Sequence, residues 1–260
     1  MKNLWLVLLA VFLFGCQGSV NTSSNPSQAD KNAQFWEGNI NKNIPVFLWF
    51  NVAPDNTLFG ELDYKKSKQH NDIYLVGHYG SVITISEFDR KGNATGAWEG
   101  KIINGKFTGK WMSLNSEKEM PFELEQAHIQ FHSEQADFTN PPNINGTYSY
   151  SLPCEASGVV NIKQLGKDKV IFNVSCVTCA PAYNIAEMDD DTVDFKSNMA
   201  SYTSQDENGK CSFTIRFYKQ FLTIDYACDT CISCGFGLNA EVSGTYIKTS
   251  SKPVMGQNIY

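Results

Sequence analysis

The stretch GAWEGKIINGKFTGK, residues 96–110, decides the fold. At its centre Asn104-Gly105 is a two-residue hairpin signal, because both positions tolerate positive φ. It joins two near-copies of the form G-x-aromatic-x-G-K, residues 96–101 and 105–110. Side chains alternate along a strand, so Phe107, Gly109 and Trp111 share one face and Lys106, Thr108 and Lys110 the other. Glycine inside a strand is unfavourable unless the sheet bends or another backbone comes close. The pattern predicts a strongly curved antiparallel hairpin, and strong curvature points to a small barrel.

The same rhythm runs outward on both sides. From Phe35 the chain reads WEGNI, IPVFLWFNV, TLFGELDY, DIYLVGHYG and SVITISEFD before the hairpin, and MPFELE after it, with turn residues such as Pro54-Asp55-Asn56 between strands. About eight such strands, joined by hairpins, close into an up-and-down barrel without exposed edges. Residues 126–143, QAHIQFHSEQADFTNPPN, break the rhythm; a short helix is expected to start there and to stop at Pro141-Pro142. Strands resume at INGTYSYS, 144–151, and end at VSGTYIK, 242–248. First and last strands that both carry Gly-Thr-Tyr fit neighbours that close a second barrel. Between them Phe213, Ile215 and Phe217 alternate with Ser212, Thr214 and Arg216, the mark of one-sided burial. The predicted class is all-β: two small antiparallel meander barrels in tandem, 35–125 and 144–250, joined by a linker at 126–143 and followed by a tail, 251–260.

The first half resembles the calycin superfamily, the lipocalin- and avidin-like barrels. Its Gly-Thr/Ala-aromatic-Glu-Gly pattern near 95–111 is similar to a domain of bacterial lipoproteins. That resemblance implies a fold and says little about chemistry. It does imply that Trp49, Trp98 and Trp111, with Phe47, Phe50 and Tyr79 nearby, either line a ligand cavity or fill the barrel. The second half resembles a repeating module of bacterial envelope proteins, with a Cys-x-[FL]-T-x-x-F strand, then Cys-Gly-Phe-Gly and a closing Gly-x-Tyr. The matching residues are Cys211, Cys234, Gly235, Phe236, Gly237 and Tyr246, and the likeness implies a Cys211–Cys234 bridge.

The N-terminus reads MKNLWLVLLAVFLFGC, with Lys2 ahead of an apolar run from Leu4 to Phe14. That run falls short of the roughly 20 residues a spanning helix needs. It has the layout of a secretory signal, residues 1–15. Leu13-Phe14-Gly15-Cys16 resembles the lipobox of bacterial lipoproteins, which implies a lipid on Cys16 as the first mature residue. Gln17 in place of Asp implies an outer-membrane address. Residues 16–34 then form a polar, flexible tether. The expected location is the cell envelope, as an outer-membrane lipoprotein facing periplasm or exterior, with the membrane as a partner through the anchor.

Seven cysteines remain: Cys154, Cys176, Cys179, Cys211, Cys228, Cys231 and Cys234. Outside the cytosol such clusters read first as disulfides. A zinc ribbon is disfavoured because 48 residues separate Cys179 from Cys228, against the usual gap of about 15–20. No His lies in that half to complete a mixed site. A redox C-x-x-C normally opens a helix, and the surroundings here are strand-like. Seven is odd, so one thiol stays free or pairs with a partner.

Composition narrows the function further. Net charge is −6, with 18% charged and 13% aromatic residues. No basic cluster appears, so a nucleic-acid partner is not expected. His128 and His132 stand four apart, yet the pair lacks a neighbouring Glu and a marked third ligand; solvated linker residues are expected. His70 carries no motif, and His78 reads as a barrel residue. The acidic run EMDDDTVD, 187–194, lacks calcium-loop spacing and reads as a solvated hairpin loop. No nucleophile elbow, Walker loop or dinucleotide fingerprint is present, and no cofactor or metal is expected. The expected function is a non-enzymatic, lipid-anchored binding module for a protein or small apolar ligand. Two alternatives stand beside it. One is an inhibitor of an enzyme such as lysozyme, on the loose likeness of Ser243–Lys248 to the Ser-Gly-x-x-Tyr segment of one inhibitor family. The other is a thiol–disulfide or metal-binding protein using the C-x-x-C clusters.

Overall fold

The computed structural model describes residues 33–67, 72–127, 143–206, 209–228 and 234–256. The signal, Cys16, most of the tether, His70, His128, His132, most of the linker and Cys231 lie outside these residues. Every element described is a strand. The first eight are β1 (Gln34–Ile40), β2 (Ile44–Val52), β3 (Thr57–Tyr64), β4 (Ile73–His78), β5 (Ile83–Phe88), β6 (Ala94–Ile103), β7 (Lys106–Ser113) and β8 (Lys118–Gln126). Each pairs antiparallel with the next, and β1 closes on β8 from Trp36–Gln126 to Ile40–Phe122. The second eight are β9 (Gly146–Ser151), β10 (Ser157–Leu165), β11 (Lys169–Val177), β12 (Ile185–Lys196), β13 (Met199–Asp206), β14 (Gly209–Phe217), β15 (Phe221–Tyr226) and β16 (Gly244–Ser250). They close where β16 meets β9, the two Gly-Thr-Tyr strands. The molecule is all-β, two closed eight-stranded meander barrels in tandem.

The deciding hairpin forms as its residues dictate. Asn104 and Gly105 have φ of 52° and 76°, and Ile103 pairs with Lys106 across them. Gly100 and Gly109 are partners in β6 and β7; a Cβ on Gly109 would run into the Glu99 carbonyl, and one on Gly100 into the Phe107 and Phe122 rings. The repeated glycines let two strands and two rings crowd together on the curved wall.

Alternation fills both interiors. In the first barrel Trp36, Leu48, Phe50, Leu75, Phe107 and Leu124 are buried. In the second, Tyr148, Val160, Phe172, Phe213, Ile215 and Tyr246 are buried. A third cluster lies between the barrels, where Trp49, Phe59 and Val76 of the first meet Tyr218, Phe221 and Ile247 of the second.

One expected loop is a strand. Residues 187–194 belong to β12, which runs unbroken for 12 residues. A bulge in β12, where Asp189 and Asp190 stand opposite Asn173 alone, takes up one extra residue, and pairing to β11 resumes on both sides of it. The carboxylates Asp189, Asp190, Asp191 and Asp194 are exposed.

Candidate functional site

Along β5 the inward face carries Ile83, Ile85 and then an acid, Glu87, which is 1% exposed. Register delivers its partners: Trp98 of β6 pairs with both Ile85 and Trp111, setting two indoles side by side. Trp98 Nε1 and Trp111 Nε1 both donate to Glu87 Oε1, at 2.6 and 2.7 Å. The Tyr64 hydroxyl lies 2.9 Å from Oε1 and 3.1 Å from Oε2, and Thr95 Oγ1 donates to Oε2 at 3.2 Å. An indole N–H only donates, so these two require an acceptor oxygen between them. Gly96 leaves the room: a Cβ there would sit 2.6 Å from Glu87 Oε2 and 2.9 Å from Trp111 Nε1. Burial pushes the carboxyl above the usual carboxylate range, and the donors from Trp111, Trp98, Tyr64 and Thr95 pull against it. Burial, then the nearby Glu87 charge, raises the Tyr64 phenol. Four donors saturate a carboxylate that water barely touches. Such a group pins β3, β5, β6 and β7 together and is closed to a substrate.

Two of the three sequence-selected tryptophans thus meet at Glu87, and the third does not. In β2, Val46, Leu48 and Phe50 point inward, so Trp49 points out; it packs edge-on against Phe59 at 6.2 Å and bonds to Glu61. Trp98 and Trp111 thus sit with the buried side chains of the first barrel, and Trp49 sits in the cluster between the barrels.

The cysteines staple one end of the second barrel. Cys154 is bonded to Cys179 and Cys211 to Cys234, and Cys228 is also disulfide-bonded. Among the described residues the free thiol is Cys176, inside the barrel, with its sulfur 3.2 Å from the Tyr246 hydroxyl. Burial pushes this thiol up to about 11. The C-x-x-C at 176–179 is therefore divided between a buried thiol and a strand-end staple. Tyr246, the tyrosine of the Ser-Gly-x-x-Tyr likeness, is fully buried and donates to the Val242 carbonyl at 2.6 Å.

Open volume lies between the barrels. Arg216 of β14 forms an ion pair with Asp55, and the Tyr218 hydroxyl reaches Asp55 Oδ2 at 3.1 Å and Thr57 Oγ1 at 3.0 Å. Phe221 stacks on Phe59 at 5.2 Å and on Tyr218 at 4.3 Å. Ser151 N donates to the Gly92 carbonyl at 2.9 Å. Burial alone would raise the Asp55 carboxyl, but the Thr57 amide and the Arg216 guanidinium outweigh it and hold it low. Alongside this junction runs a cleft of about 530 Å³. Its walls are Thr84, Ser86 and Ala97 on one side and Thr223, Asp225 and Thr245 on the other, with exposed His78 at the edge. Arg216 also lines it, and its buried Nε–H has no acceptor among the described residues. Lys110 and Glu119, paired at 2.7 Å, line it too. The cleft presents hydroxyls and both signs of charge.

Comparison of the chain with protein-family models, with curated proteins and with solved structures found no match. The architecture itself, closed eight-stranded meander barrels in tandem, fits a calycin-like fold.

Proposed function

We propose that this chain is a non-enzymatic, lipid-anchored protein of the cell envelope that binds a polar ligand in the cleft between its barrels. The observation that carries this reading is where the open volume lies. Each interior holds a cluster of buried side chains, and the cleft between the barrels is open and lined by Thr84, Ser86, Thr223 and Thr245. Its polar walls favour a saccharide or peptide strand over a small apolar ligand. The sealed Glu87 and buried Cys176 offer no reacting group to a substrate. Disulfides at Cys154–Cys179 and Cys211–Cys234 suit an oxidising compartment, in keeping with the export signal read in residues 1–16.

Two measurements test the reading. Native membranes should yield a mature protein with a lipid mass increment on Cys16, and Cys16→Ala should release it to the soluble fraction. A wild-type protein without lipid would end the anchoring half of the proposal. Glycan and peptide arrays should give a signal that Ala97→Trp, which fills the cleft, abolishes without lowering Tm. A ligand that binds Ala97→Trp as well as wild type would place recognition elsewhere.

A further inference from the structure

Alternation in the second barrel places two asparagines where they should be wet. In β10, Val160 and Ile162 point inward, so Asn161 faces out; in β11, Phe172 and Val174 do the same for Asn173. Yet Asn161 is 1% and Asn173 4% exposed. What covers them is the chain after β16.

The outer wall carries a ladder of polar side chains across four adjacent strands. Thr147 of β9 lies opposite Asn161, and Asn161 opposite Asn173. The bulge in β12 brings Asp190 into line with them. Thr147 Oγ1 donates to Asn161 Oδ1 at 2.7 Å, Asn161 Nδ2 to Asn173 Oδ1 at 2.9 Å, and Asn173 Nδ2 to Asp190 Oδ1 at 2.7 Å. The tail crosses this row at alternate residues. The Lys252 carbonyl lies 3.1 Å from Thr147 Oγ1. Val254 N–H donates to Asn161 Oδ1 at 3.0 Å, and its carbonyl accepts from Asn173 Nδ2 at 3.2 Å. Gly256 N–H donates to Asp190 Oδ2 at 2.9 Å.

Every one of these contacts to the tail goes to main chain; Lys252 and Val254 stand two apart, as along an extended strand, and Gly256 turns the chain with φ of 66°. Asparagine supplies a donor and an acceptor on one side chain, so the pair satisfies both groups of the Val254 peptide. None of these hydrogen bonds reads a side chain; Val254 itself is 44% exposed, and Pro253 and Met255 are half-buried. Main-chain hydrogen bonds give extended peptides their affinity in strand-type recognition. A segment held through main-chain hydrogen bonds can give way to another that offers the same groups.

We propose that the outer wall of the second barrel is a binding site for an extended polypeptide, which the chain's own residues 252–256 occupy in the free protein and vacate for another segment. The ladder Thr147–Asn161–Asn173–Asp190 is the recognising surface. The tail is its resident competitor.

The test uses the mature protein, a variant ending at Ser251, and a fluorescent peptide, SKPVMGQNIY, read by anisotropy. The shortened variant should bind the peptide saturably, and the full-length protein at least about ten-fold more weakly, because its own tail competes. A peptide N-methylated at the positions of Val254 and Gly256 should not bind, while an unrelated extended peptide should bind within about five-fold of the first. Absence of binding by a shortened variant that keeps cooperative unfolding would overturn the proposal. So would equal binding of the N-methylated peptide, or failure of every peptide but the native one. Should the shortened variant not fold, hydrogen exchange on the full-length protein decides. Excess peptide should collapse protection of the Val254 and Gly256 amides while β10 and β11 stay protected. Amides that open only with global unfolding would make the tail a fixed part of the barrel.

Discussion

Replacing Glu87 by Gln keeps an oxygen for both indole N–H groups and turns an amide toward the Tyr64 and Thr95 hydroxyls, which can accept. The consequence depends on pH. Burial raises the folded carboxyl above its ordinary 4.5. The native state therefore holds that proton more tightly than the unfolded chain, and stability falls as pH rises through the raised value. Wild type should lose Tm relative to Glu87→Gln as pH rises above the ordinary carboxylate range; a difference that does not change with pH would refute the argument. Glu87→Leu strands two buried indole donors and should cost about 3 kcal/mol or more in urea unfolding. Cys176 makes a second prediction at this scale. Buried, and with its thiol pushed up to about 11, it should resist alkylation in the native protein at neutral pH and react only on unfolding. Mass spectrometry after iodoacetamide, with and without denaturant, reads this directly. Glu87 was legible in part: Ile83 and Ile85 alternate with polar residues, so the next inward position is an acid. Its partners were not, because they come from β3, β6 and β7 and meet only once strand register is fixed.

Among the elements, β14 and the segment after β15 are held by the Cys211–Cys234 disulfide, 23 residues apart. Replacing both cysteines by Ser should lower stability by about 2–4 kcal/mol, measured by denaturant unfolding, while far-UV circular dichroism still reports strands. Strand positions were largely readable because period-two burial and turn chemistry agree, as at Asn104-Gly105. The acidic run of β12 misled for a physical reason. Consecutive aspartates ordinarily mark a solvated turn, but here β12 runs on through them with one bulge opposite Asn173. The ladder on that wall was hidden as well. Asn161 and Asn173 look like exposed strand residues until the tail is laid over them.

At the scale of the whole molecule, the junction between barrels should make them unfold together. Phe221 is fully buried there between Phe59 and Tyr218. Phe221→Ala removes a ring from a closed site, with a cost of about 3–5 kcal/mol. Calorimetry should show one transition for wild type and two for the variant; two transitions in wild type would mean the junction is weak. Tandem barrels were visible in the sequence, but their junction was not. Asp55 and Arg216, its ion pair, lie 161 residues apart, and each reads alone as an ordinary turn or strand residue. The closing pairs of each barrel join its first strand to its last. Trp36 meets Gln126, so the first barrel needs nearly half the chain to close. Every strand of that barrel lies within residues 34–126, so its closure draws on no part of the second. Its outer wall, bearing Phe59 and Trp49, is the surface on which Phe221 and its neighbours rest.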